Sequence, residues 1–415
     1  MAFSILAKHA QGKVAKDKIF IASTAANQAI EKYGKEQIIN ATIGAIYDES
    51  GQLCFLPTVE KCYRDLPSPE LIQYAGISGL PDFIDAVIDE ACGKSRPNAH
   101  MAAIATAGGT GVIHHVVWNY ASEGDKIITS DWYWGVYASI CKDMLRSLET
   151  YEMFDKNNKY NIDALESKMR ELAKTQDNVV AIINTPAHNP TGYTVSNEEW
   201  DAILDRSKKI IEDTGKNIVI LVDLAYLDYA GEREEVRSFI KKFENLPEKL
   251  LIVLGYSMSK GFTLYGQRTG AMIGISSNPN LIQEFKDANQ FTSRATWSNI
   301  NRPCMRTLVN ICKDPQAFAA VQKERTHYYN MIKERADIFS QEAKEANLKM
   351  LPYIAGFFIS MESKDPDAIC DKLHEDFVYA VPLAKGVRIA VCSVPKEQLY
   401  GLAAKVKKVF VAIEK

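Results

Sequence analysis

The chain has 415 residues, 47% hydrophobic and 24% charged, with a net charge of −3 from 49 basic and 52 acidic residues. This length suits one large α/β unit with a smaller companion, and the near-neutral balance offers no basic stripe for nucleic acid. No membrane span is expected, because no run of about 18 apolar residues occurs; Met1–Lys8 is too short an apolar start for a secretory signal; and eight cysteines without a Cys-x-x-Cys pair fit reduced thiols in a cytoplasmic enzyme better than disulfides or a zinc site.

In chain order, short apolar runs alternate with helical patterns, the mark of a parallel sheet with crossover helices. Pro81 opens a helix with Phe83, Ile84, Val87 and Ile88 on one face. A strand is predicted at Ala102–Thr106, then a helix through Val112, Ile113, Val116 and Val117. Strands follow at Lys126–Thr129, Val179–Ile183, Ile218–Val222, Leu250–Leu254 and Ala271–Ile275. Ser196 and Glu199 form a capping-box pattern at the start of another helix. His114-His115 invites a metal reading, but neighbours on a helix point apart, so packing is the expectation and no metal site is predicted. After Asn310 the texture changes to a long charged helical stretch, Pro315–Asn347, and two strand-like runs, Phe357–Met361 and Val387–Val391, with a helix between them. These predict a smaller α+β domain of residues 313–415, joined by residues 1–48, beside a large domain of residues 49–312.

Four polar features fall just after apolar strands, where open α/β sheets bind ligands. Ala105-Thr-Ala-Gly-Gly-Thr110-Gly offers glycines and a helix start, suited to phosphate, although any tight strand-to-helix turn favours glycine. Asn184-Thr-Pro-Ala-His-Asn189-Pro-Thr-Gly192 reads either as an Asn-Pro turn or as a loop offering Asn189 to a ligand oxygen. Asp223 ends the apolar run Ile218–Val222, where a carboxylate needs a partner; a protonated pyridine nitrogen and a helix N-cap are both open. Ser257-Met-Ser-Lys260-Gly-Phe-Thr-Leu-Tyr-Gly-Gln-Arg268 closes the set. An amine at a strand end can form a Schiff base with an aldehyde, while Ser257 and Arg268 can hold a phosphate. Spacings of 34 and 37 residues separate Asn189, Asp223 and Lys260, each enough for one strand-helix return. Together they describe a seat for pyridoxal phosphate.

These residues resemble the fold-type I pyridoxal-phosphate aminotransferases, in the aspartate/aromatic branch of class I. The lysine segment and Ala187-His-Asn-Pro-Thr-Gly192 carry the likeness most specifically, and Tyr74-Ala-Gly-Ile-Ser-Gly79, Trp134-Gly135, Arg294-Ala-Thr-Trp-Ser-Asn299 and Gly386-Val-Arg388 extend it from Gly44 to Arg388. The resemblance implies an α/β fold, with a mostly parallel seven-stranded sheet flanked by helices and a smaller α+β domain. It implies transamination between an amino acid, aspartate or glutamate or else an aromatic one, and a 2-oxo acid. Lys260 would carry the cofactor and move the proton; Asp223 would face the ring nitrogen, Tyr226 and Asn189 the phenolic oxygen, and Trp134 the ring face. Gly109, Thr110, Ser257 and Arg268 would hold the phosphate. Gly44 and Arg388 would meet the substrate. A homodimer is implied, with Tyr74 and Arg294 acting across the interface, Arg294 on a distal carboxylate. A β-lyase or β-decarboxylase would share every cofactor contact. A non-catalytic regulator would need a DNA-binding module, and the stretch before Gly44 is short for one. The sequence departs from the family pattern at Gly108 (usually serine), Tyr137 (usually histidine) and Ile300-Asn301 (usually a proline pair), and Arg302 is a rival to Arg294.

Overall fold

In the computed structural model, which describes residues 4–14 and 17–414, the strands are β1 (Ile39–Asn40), β2 (His100–Thr106), β3 (Lys126–Ser130), β4 (Ser147–Tyr151), β5 (Asn178–Asn184), β6 (Asn217–Asp223), β7 (Leu250–Ser257), β8 (Gly270–Ser276), β9 (Phe358–Glu362), β10 (Val378–Tyr379), β11 (Val381–Pro382) and β12 (Gly386–Ala390). Seven of them form one sheet in the order β2-β8-β7-β6-β5-β3-β4. From β4 to β7 all neighbours are parallel, whereas β8 runs antiparallel to both β2 and β7. The reversal has a local cause. A parallel return needs a crossover of a dozen or more residues, usually a helix. Between β7 and β8 the only helix is the four-residue Met258–Gly261.

The parallel strands read as continuous apolar runs because both sheet faces are covered. Val179, Ala181 and Ile183 pack into one core with Ile218, Ile220 and Val222. Val180 and Ile182 face the other side, with Val219, Leu221 and the helix residues Val112 and Val116. Strand β4 was not legible in the sequence: Ser-Leu-Glu-Thr-Tyr carries a weak apolar signal, and the strand is the half-exposed edge of the sheet.

A third core joins the beginning and the end of the chain. Ile39, Ala41 and Ile46 pack with Phe358, Ile359, Val387, Ile389 and Val406. Strand β1 pairs in parallel with β10, and β12 lies antiparallel between β9 and β11. The 31-residue helix Pro315–Glu345 spans two cores. Its Val321 packs with the sheet; its Ile332, Ala336 and Phe339 pack into the third core. No helix among the described residues is long and apolar enough to cross a membrane.

The capping box at Ser196 forms, with Ser196 accepting from the Glu199 N–H and Glu199 accepting from the Ser196 N–H. Glu199 does more than cap: it also accepts from the Tyr160 N–H at 3.0 Å and the Tyr193 hydroxyl at 2.7 Å. Glu199→Ala should therefore destabilise the protein by about 2–3 kcal/mol, against about 1 kcal/mol for Ser196→Ala. Chemical unfolding of the two variants checks this; equal losses would leave Glu199 with a capping role alone.

Candidate active site

A cavity of about 460 Å³ lies where the carboxyl ends of β5, β6 and β7 meet the segment Ile43–Tyr47 and strand β12. Its lining includes Gly44, Gly109, Thr110, Trp134, Asn189, Asp223, Tyr226, Ser257, Lys260, Arg268 and Arg388. Tyr74 and Arg294 are not part of it.

On one wall, the helix Gly108–Tyr120 presents its first turn, whose N–H groups have no partner inside the helix. Arg268 lies against this end. It donates to the Ser259 hydroxyl at 3.1 Å and the Tyr265 carbonyl at 2.9 Å, with Thr110 at 3.5 Å. The backbone explains the glycine at 108. Its φ is +65°, and a Cβ there would stand 2.9 Å from Arg268 Nη2. The serine of the related pattern does not fit this geometry; the bare backbone admits the guanidinium instead.

Asp223 is buried at the end of β6. The Tyr137 hydroxyl donates to its Oδ2 at 2.5 Å and the Ala225 N–H to its Oδ1 at 3.1 Å. Burial pushes its pKa above the usual carboxylate value, and the Tyr137 and Ala225 hydrogen bonds pull it back. Tyr137 thus occupies the histidine's place with a neutral donor. Asn184, closing β5, donates to the Asp223 carbonyl at 2.8 Å and accepts from the Asn189 N–H at 2.6 Å. The Asn189 amide reaches the Tyr226 hydroxyl at 3.4 Å. Trp134 stands edge-on to Tyr137, ring centres 5.8 Å apart.

Lys260 projects from the short helix directly after β7. Its Nζ donates to the Gly44 carbonyl at 2.7 Å and lies 4.8 Å from the centre of the Tyr265 ring. Desolvation dominates its titration: the pKa falls to about 8, with Arg268 and Arg388 also lowering it and Cys392 opposing. Arg388, from β12, is fully buried. It donates to the Thr42 carbonyl at 2.7 Å and Asn189 Oδ1 at 3.1 Å, lies 4.2 Å from the Phe358 ring centre, and has no partner for Nε. Burial lowers its pKa to about 10.

The two remaining predicted residues lie on the surface: Tyr74 is 87% exposed, and Arg294 is exposed, its guanidinium bonding only Ser298 among the described residues. Arg302, the rival to Arg294, has its guanidinium held by both oxygens of Glu70, at 2.8 and 3.1 Å. The histidine expectation also changes in detail. The rings of His114 and His115 meet at 3.2 Å through Nδ1, and His115 stacks on Trp297 and bonds Ser293. Among the described residues no cluster of three or more potential metal ligands forms. Sequence reasoning missed Asn184, Ser259, Tyr265, Phe358 and the pair Asp17 and Ile19. Ser259 and Tyr265 sit within the lysine motif and Asn184 ends a strand, so those three were findable by position.

The hydrogen-bond partners of Lys260, Arg268 and Arg388 are all neutral, as are those of Asp223. The cavity therefore offers an amine, a phosphate-sized cationic cradle, a buried carboxylate facing inward, and a second cationic anchor. Pyridoxal phosphate fits that set: its aldehyde suits Lys260, its phosphate the helix start with Arg268, and its ring nitrogen Asp223.

Residues 36–406 match the family model for aminotransferase class I and II, and the chain belongs to that family. A crystal structure of an aminotransferase from Anaerococcus prevotii is similar, with 36% identity and a TM-score of 0.96, covering 98% of this chain and all of that one. The fold is shared with an aromatic-amino-acid aminotransferase of Burkholderia pseudomallei covalently bound to pyridoxal phosphate (20% identity, TM-score 0.79, 98% and 100% coverage). A cytoplasmic aspartate aminotransferase of Dictyostelium discoideum is 26% identical over 307 residues, 71% of this chain, and the match spans 66% of that relative's length.

Trace acetylation of the cofactor-stripped protein, followed by peptide mass, should give Lys260 a midpoint near pH 8. The amine is protonated and unreactive below that pH and free above it. A midpoint at the ordinary lysine value would mean the cavity leaves Lys260 fully hydrated.

Proposed function

We propose that this chain is a pyridoxal-phosphate-dependent aminotransferase, exchanging amino groups between an amino acid and a 2-oxo acid. The observation that carries the reading is Arg388: a buried guanidinium with only neutral hydrogen-bond partners, lining the same cavity as the Arg268 cradle and suited to the α-carboxylate common to both substrates. Bound pyridoxal phosphate supplies an aldehyde that links covalently to amines and a ring that accepts electrons from the substrate's Cα.

The chain's residues do the rest. Lys260 holds the cofactor between turnovers. Its amine, when free, would take the proton from the substrate's Cα and deliver it to the former aldehyde carbon of the cofactor, and burial lowers the amine's pKa toward this base role. Asp223 holds the ring nitrogen in its protonated form. Asn189 and Tyr226 hold the phenolic oxygen, and Trp134 covers the ring. Gly109, Thr110, Ser257 and Arg268 hold the phosphate.

Two copies complete the site. Tyr74 and Arg294 lie outside their own chain's cavity, and each is accompanied by an exposed apolar side chain: Ile72 (78% exposed) near Tyr74, and Phe291 (78%) one helical turn before Arg294. In a twofold dimer both residues serve the partner's cavity. The cavity lining of one chain includes Ile19, Phe20, Ile43 and the carboxylate of Asp17 but, among the described residues, no cation besides Lys260, Arg268 and Arg388. A distal carboxylate therefore depends on Arg294 of the second copy, and aspartate or glutamate is the donor on this reading. The cytoplasm is the proposed location.

Borohydride should abolish a visible absorbance band of the purified protein and fix the label on Lys260, and an amino-donor screen with 2-oxoglutarate should yield exchange of amino and keto groups. Labelling of another lysine refutes the assignment; release of ammonia or carbon dioxide without exchange favours a lyase or decarboxylase.

Arg294→Ala should lower kcat/KM for aspartate by about one to two decades, the loss of a charged hydrogen bond of roughly 1.5–3 kcal/mol, and spare phenylalanine. Mixing it with inactive Lys260→Ala chains should restore activity in heterodimers. Unchanged aspartate turnover would make an aromatic donor the better reading.

A further inference from the structure

A buried charged network sits directly behind the Lys260 turn, outside the cavity. Arg325, on the helix Pro315–Glu345, donates from Nε to the Gly261 carbonyl at 2.7 Å and from Nη1 to Glu90 Oε1 at 2.6 Å, and the same Nη1 is 3.4 Å from Asp228 Oδ1. Arg237 pairs with Asp228 at 2.5 Å, and Arg233 with Glu90 at 2.7 Å. Glu90, Asp228, Arg237 and Arg325 are buried almost completely. Five charged side chains are an expensive way to fill a core, since apolar residues of similar volume would often be as stable.

The network's placement gives it a use. Asp228 lies in the short helix Leu227–Tyr229, two residues after Tyr226, and Gly261 follows Lys260 directly. Arg325 thus joins the turn after β6 to the turn after β7. Those are the turns that carry Asp223 and Tyr226 on one side and Lys260 on the other. Gly261 fits the same purpose: a Cβ there would come within 1.9 Å of Asp228 Oδ2, so only glycine lets the carboxylate lie against the lysine turn. Phe262 completes the packing, with the Arg325 guanidinium 4.5 Å from its ring centre.

We propose that Arg325, braced by Asp228, is a positioning residue that fixes the Lys260 turn relative to Asp223 and Tyr226. It touches neither substrate nor cofactor. It acts by holding the Gly261 carbonyl, and hence the direction in which Lys260 leaves the backbone. The proposal rests on the aminotransferase reading for its kinetic arm only.

Arg325→Lys keeps the charge but cannot serve Glu90 and Gly261 together. In the holoenzyme it should lower kcat roughly ten- to a hundredfold, as expected for a slightly misdirected catalytic amine, with KM changed by less than about twofold. The pH midpoint of the visible lysine-linked band should move as well. Glu90→Gln loosens the network without touching Gly261, and should lower the melting temperature while leaving kcat and that midpoint in place. If Arg325→Lys fails to fold, Gly261→Ala should reproduce its kinetic and spectral effects through the collision with Asp228. A separate arm needs no cofactor: in stripped protein, hydrogen exchange of the Phe262 and Thr263 amides should accelerate in Arg325→Lys and not in Glu90→Gln. Equal effects of both variants on kcat, midpoint and exchange, or an unchanged kcat and midpoint in Arg325→Lys or Gly261→Ala, overturn the proposal. Absence of any lysine-linked band in the wild type refutes the cofactor reading instead, and leaves the exchange arm standing.

Discussion

Arg388 is a buried cation whose hydrogen-bond partners are all neutral, and contacts from three parts of the chain make that tolerable. Its donors reach Thr42 in the early chain and Asn189 in the loop after β5, and its flat face lies on Phe358. A guanidinium suits such a place because it is weakly hydrated and donates in a fixed plane. The partial compensation still leaves Nε unpaired. Arg268 and Lys260 face the same space with neutral partners, and Asp223 faces it as a carboxyl held by neutral donors alone. Desolvated charges of this kind are stabilised by a ligand that brings the complementary ones, so affinity for an anionic cofactor and an anionic substrate is built into the cavity. The same residue also helps tie the third core to the sheet, because Arg388 leaves β12 in the one and ends on Asn189 in the other.

The legible part of this protein was the part governed by strand ends. Asp223 after Ile218–Val222 and Lys260 after Leu250–Leu254 stood out because a polar group closing a fully apolar strand must find a partner, and in the fold those ends converge on one cavity. Illegible features were those decided by partners distant in sequence. Strand β4 has too little apolar character to announce itself, since an edge strand buries only one side. Asp17 and Ile19 reach the cavity by tertiary packing of the first helix and leave no periodic signal. Arg302 looked as available as Arg294 until its fork was found closed on Glu70, 232 residues earlier in the chain.

Two of the departures from the family pattern, Tyr137 and Gly108, find physical reasons in contacts at the site. Tyr137 keeps a donor on Asp223 but supplies no charge, so the carboxylate's ionisation rests on two neutral hydrogen bonds and on whatever occupies the cavity. That makes Asp223 more sensitive to its ligand than a carboxylate beside a cation would be. A protonated ring nitrogen paired with it would stabilise both charges, each acting as the other's counter-ion in a medium of low dielectric.

Gly108 and Gly261 follow one logic. Each lies beside a residue of the site, and each would bring a Cβ into a charged side chain arriving from another element: Arg268 at 2.9 Å in the first case, Asp228 at 1.9 Å in the second. At Gly108 the positive φ adds a second reason, because a side chain there is strained even where space allows. In both places the missing side chain admits a charge at close range. Arg268 thereby reaches the helix start from inside the cavity, and Asp228 reaches the lysine turn from behind it. A substitution at either position would displace a charged group before it displaced any apolar packing. The two glycines therefore belong to the electrostatics of the site as much as to its backbone geometry.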